Sequence, residues 1–134
     1  MVPTHRTRAL VTIAVLAHLV VNILHGQAHT SLRVGLSTWQ QVYVYAVILL
    51  APLVALALVF TRYTKTALCL LLVSMLGSFV FGGVYHYVVI SPDHVAHLPP
   101  GDARGMFRLT ALLLLVTEAF GVLVAGIGVK GKRA

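Results

Sequence analysis

Four stretches of the chain are apolar at almost every position, and short polar breaks divide them. They run over about 9–29, 38–60, 66–90 and 106–129. The strict alternation of a half-buried strand is missing, and so is the one-sided stripe of a soluble amphipathic helix. A helix needs roughly 20 such residues to cross a ~30 Å hydrocarbon layer, so each stretch predicts one crossing. The first is the shortest, with its firm apolar part at Ala9 to His25 and an extension to His29. Strands are excluded, because four could not close a barrel and an open sheet leaves backbone groups bare in lipid. The expected fold is therefore an all-α membrane protein, a four-transmembrane-helix bundle forming one domain over 1–134. Pro52 predicts a kink in the second span, and Pro92, Pro99 and Pro100 predict a stiff loop over 91–105.

Composition sharpens this picture. Of 134 residues, 59% are hydrophobic and 10% charged, too few charges for the polar shell of a small soluble domain. The formal charge of +7 raises nucleic acid as a partner, but the cations sit at the ends of the apolar runs. No basic stripe is interleaved with aromatics, so the expected partner is the lipid bilayer and not nucleic acid. Arg6, Arg8, Arg62, Lys65, Lys130, Lys132 and Arg133 fall at one end of the spans, while Arg33, Arg104 and Arg108 fall at the other beside Asp93 and Asp102. The excess predicts cytoplasmic N and C termini in a multi-pass protein of a plasma membrane or prokaryotic-type inner membrane. Trp39, Tyr43, Tyr45, Tyr85 and Tyr87 gather at the opposite interface, in agreement. Cys69 stands alone, which rules out an internal disulfide, and inside an apolar run it reads as a small packing residue. Arg6 and Arg8 ahead of an apolar stretch that ends near Gly26-Gln27-Ala28 also fit a cleavable signal peptide. The polar residues inside that stretch favour a retained helix.

Those polar residues carry the chemistry. His18, Asn22, His25 and His29 fall within about 60° of one another on a helical wheel, so they share one face of the first helix. Polar groups at bilayer depth face the bundle interior or a water-filled cavity, because lipid gives them no partner. His25 and His29 are also spaced i, i+4, which sets both imidazoles over one turn and suits a shared metal ion, provided Gly26 does not end the helix. His86 lies near the same end of the third span, with Met75, Phe79 and Gly82 on its face. The loop adds Asp93-His94-Val95-Ala96-His97, in which the histidines are further ligands or capture groups and Asp93 is an acceptor that orients one of them. Glu118 is the one acidic residue inside a span, ~16 Å deep at helical rise, and His18 at similar depth is its expected partner in a proton or cation relay with Asn22. Hydroxyls such as Ser74 or Ser78 are the alternative partners for Glu118.

Three functions follow as expectations. The first is a membrane metal-binding protein with a site of His25, His29, His86, His94 and His97 near the extracytoplasmic face. Imidazoles with few carboxylates suit Zn²⁺, Cu²⁺, Ni²⁺ or Fe²⁺ better than Mg²⁺ or Ca²⁺. The second is a b-type haem electron-transfer subunit with His25 and His86 as axial ligands. The third is a non-catalytic accessory subunit, in a homo-oligomer or a larger membrane complex. No phosphate-binding loop, nucleophile elbow, HExxH or CxxC pattern is present to point to an enzyme class.

Overall fold

The computed structural model describes residues 4–131, so Lys132 and Arg133, two of the cations behind the expected orientation, lie outside the described residues. Four helices are long and apolar enough to cross a membrane: α1 His5–Leu32, α2 Thr38–Val59, α3 Thr64–Tyr87 and α4 Arg104–Lys130. Among the described residues there is no strand. Four successive helices bring the first and last described residues to one end of the bundle, the terminal end, and gather His25, His29, His86, His94 and His97 towards the other.

The first helix is longer than its apolar run. Thr4 caps it by accepting from the Thr7 N–H at 3.1 Å, and its 28 residues span ~42 Å. Gly26 does not end it. The helix stops where Arg33 turns left-handed, with φ 55°, and the Arg33 and Val34 N–H groups close on the carbonyls of Thr30 and His29. His25 and His29 therefore stay aligned.

The third helix ends at Tyr87, three residues short of the expected 90. The Val88 and Val89 N–H groups both return to the Val84 carbonyl, and the Val95 N–H donates to the His86 carbonyl at 3.0 Å. This turn folds residues 88–103 over the end of the bundle. Leu98 is buried there with Ala28, Leu32, Val34 and Phe107 in a small apolar cluster.

The second span is irregular where Pro52 predicted a kink. Residues Val44–Leu50 wind as a π-helix before the α-helix resumes at Ala51. Proline has no N–H to offer the carbonyl four residues back, which here is that of Ile48. His18 Nε2 on α1 meets that carbonyl at 3.1 Å.

At the terminal end, Val11, Val15, Ala55, Val59, Leu68, Leu71, Met75, Val124 and Ala125 form one buried core. Gly121 lets α4 lie against α3, since a Cβ there would meet Met75 Cγ at 2.7 Å. Gly121 and Ala125, one turn apart on α4, are both buried. α1 and α3 both pack along α4, and α2 packs on α3. Between α1 and α2 the packing runs through Ala51–Val59, and the upper part of α2 stands away from α1. Cys69 is exposed and not packed in the core, because the buried face of α3 runs through Leu68, Leu71 and Met75.

Candidate metal centre

Three histidines from two helices converge in the half of the bundle away from the termini. α1 contributes His25 and His29 one turn apart, and α3 contributes His86 from its last turn. One ring nitrogen from each lies within 4.8 Å of those of the other two. His25 and His86 are buried and His29 nearly so. The Phe107 ring of α4 packs against all three imidazoles, with centroids 4.6, 4.8 and 5.4 Å away.

The hydrogen bonds orient each ring. The Thr110 hydroxyl oxygen lies 2.7 Å from the Met106 carbonyl and 2.8 Å from His25 Nδ1, so when the hydroxyl donates to the carbonyl its oxygen accepts from His25 Nδ1–H. His29 Nδ1–H donates to the Val34 carbonyl at 3.1 Å, which the left-handed turn at Arg33 swings back over the helix end. His86 Nδ1–H donates to the Asp93 backbone carbonyl at 3.1 Å. Each neutral ring then carries its lone pair on Nε2. The Nε2 atoms of His25 and His86 face each other at 3.1 Å. Two lone pairs at that distance repel unless a proton or a cation lies between them. Two imidazoles bound tetrahedrally to one ion at ~2.0–2.1 Å have nitrogens ~3.3 Å apart, close to what is seen. His29 offers the third ligand nitrogen, within 4.8 Å of the other two.

Asp93 adds negative charge. Its Oδ1 lies 3.3 Å from both His29 Nε2 and His86 Nδ1. It is buried, and no hydrogen bond reaches it. An orphaned carboxylate oxygen beside three convergent imidazoles fits a divalent transition metal through its charge. Expected to orient His94 or His97, Asp93 instead turns inward to His29 and His86. The sequence distance between them concealed this contact.

The other expected site residues fall in two places. His94 and His97 form a pair on the loop surface, with Nδ1 atoms 3.1 Å apart and the Ala96 N–H donating to His94. They stand apart from the three convergent rings. His18, Asn22 and Glu118 lie deeper. His18 is held to Ile48 on α2, and the Asn22 amide donates to the His18 carbonyl at 3.0 Å. No hydrogen bond or ion pair joins His18 to Glu118. Nor does Glu118 bond to Ser74 or Ser78, whose hydroxyls donate to carbonyls of their own helix. Glu118 is 1% exposed, and its Oε2 has no partner. It sits one step below His86: a Cβ on Gly82 would be 3.8 Å from His86 Cδ2 and 3.9 Å from Glu118 Oε2.

A cavity of about 610 Å³ joins these groups, lined by His25, His29, His86 and Asp93 above and by Asn22 and Glu118 below. Contributors not foreseen are the Phe107 ring, Thr110, and two others, the Val34 carbonyl and the Ile48 carbonyl. Thr110 carried a signal, as a hydroxyl near the start of an apolar run. The other two act through backbone oxygens, which no side-chain pattern announces. Comparison of the chain with protein-family models, with curated proteins and with solved structures finds no match, so the functional reading rests on this geometry.

Proposed function

We propose that this chain is a membrane metal-binding protein that holds one transition-metal ion on His25, His29 and His86, with the Asp93 carboxylate beside it. One observation carries the reading. All three Nδ1 atoms are engaged by protein oxygens, so three Nε2 lone pairs are turned into one small space. Metal-bound histidines are held in this way, with the far nitrogen fixed by a hydrogen-bond acceptor. The donor set of imidazole and carboxylate suits Zn²⁺, Cu²⁺, Ni²⁺ or Fe²⁺.

In this reading His94 and His97 capture ions at the loop surface before they reach the buried rings. His18, Asn22 and Glu118 form an inner polar set that can pass a cation or proton towards the middle of the membrane. The positive-inside rule places the histidine-rich end on the extracytoplasmic face.

The haem alternative is less well matched. A porphyrin between two axial imidazoles separates their nitrogens by roughly twice a metal–nitrogen bond of ~2.0 Å, with an open slab between the rings. His25 and His86 instead meet at 3.1 Å in a T-shaped pair. Elemental analysis and an absorption spectrum of the purified protein separate the readings. About one zinc, copper, nickel or iron per chain and no Soret band is the expected result. A Soret band favours the haem subunit, and absence of any stoichiometric metal favours the accessory subunit.

A further inference from the structure

The cavity beneath the three histidines is larger than an ion needs, and its open side faces where lipid would be. It runs from Val34 at the loop to Leu19 on α1, ~22 Å at helical rise, so it is long and narrow. Its walls are mostly apolar: Leu19, Ile23, Val44, Ile48, Leu49 and Leu114. The gap lies between α1 and α2 on the loop side of the His18–Ile48 contact, and Val44 and Tyr45 of the π-helical stretch line one edge of it. Such segments recur at functional sites because they push a helix face out of register. Ile23 and Tyr45 flank the gap, 54% and 66% exposed. An ion does not enter through such a border, but a molecule dissolved in the membrane does.

The cavity's polar atoms define the head group that fits. Asp93 Oδ1 and Glu118 Oε2 both line it, both are buried, and both lack a hydrogen-bond donor. Buried acceptors left empty are costly and call for a donor. A narrow slot bordered by the rings of Tyr45 and Phe81 suits a flat head. We propose that the cavity takes one molecule of a membrane-dissolved phenol or quinol, which enters sideways between α1 and α2 and donates a hydroxyl hydrogen to Glu118 Oε2. This rests on the metal reading only in placing the head group beside a metal-loaded centre.

The test uses the full chain in phosphatidylcholine nanodiscs loaded with zinc. The probes are 4-nonylphenol and its methyl ether, which lacks the donor. Retention by protein-containing discs is measured against protein-free discs, and zinc is counted on the same samples. Saturable retention of one phenol per chain is expected, with the ether about tenfold weaker for the lost hydrogen bond. Glu118→Leu should weaken the phenol about tenfold. Gly26→Trp, at a position with nothing within 4 Å of an added Cβ, should obstruct the gap and lower retention at least as much. Ile23→Trp at the exposed rim serves the same end should the first variant fold poorly. Equal retention of phenol and ether overturns the proposal, as does retention that both tryptophan variants leave unchanged. Lack of saturable retention overturns it too, whether a lipid chain or a second copy of the protein fills the gap. Zinc without phenol binding counts against the ligand alone, and phenol binding without zinc counts against the metal reading alone.

Discussion

Near the chain termini, Val11, Val15, Val59, Leu71, Met75 and Val124 pack methyl to methyl, and Gly121 brings α4 onto α3 at close range. In the opposite half the same helices meet through imidazoles, a threonine hydroxyl and backbone carbonyls, around a cavity with two unpartnered carboxyl oxygens. Between helices in lipid there is no hydrophobic effect to exploit, so the first half gains its cohesion from van der Waals fit. That fit offsets the cost of the second, where buried carboxyl oxygens lack hydrogen-bond partners. One half is a clamp and the other a socket. The division explains how a chain this small keeps orphaned carboxyl groups inside it.

Removing a ligand breaks the socket without touching the clamp. His86→Ala should abolish stoichiometric metal, with affinity for Zn²⁺ at least ~100-fold weaker than in the parent, because both a ligand and the contact to His25 are lost. Isothermal titration of the detergent-purified protein reads this, and a helical circular dichroism spectrum like the parent's shows that the clamp persists. Thr110→Val should weaken the metal roughly 10- to 100-fold, since His25 loses the acceptor that fixes its tautomer and ring angle. Equal affinity in that variant would show that His25 needs no such orientation.

The reverse substitution breaks the clamp and spares the socket. Gly121→Leu drives a side chain into Met75 and should cost about 2 kcal/mol in stability to reversible unfolding in bicelles, while metal stoichiometry stays at the parent value. Loss of metal in step with stability would show that the halves are coupled. Acidification separates them further. Metal binding displaces protons from the imidazoles, so affinity should fall with decreasing pH while the apolar half unfolds no more readily. The smallest effect is expected at Cys69→Ala on the exposed face of α3, within about 0.5 kcal/mol of the parent by the same unfolding measurement.

Much of this molecule was legible in residue order. Four apolar runs fixed four helices, because a bilayer offers the backbone no other partner than itself. The stripe His18-Asn22-His25-His29 fixed one face of α1, since helical periodicity is local. Tertiary structure decided what lies across from each residue. It set His25 against His86 and Thr110, turned Asp93 inward, and gave His18 the Ile48 carbonyl beside Pro52 in place of Glu118. Sequence periodicity acts within one helix, whereas a site built from three helices and two loops depends on how those helices pack. That packing is chosen by the summed fit of many side chains, and no short pattern encodes it.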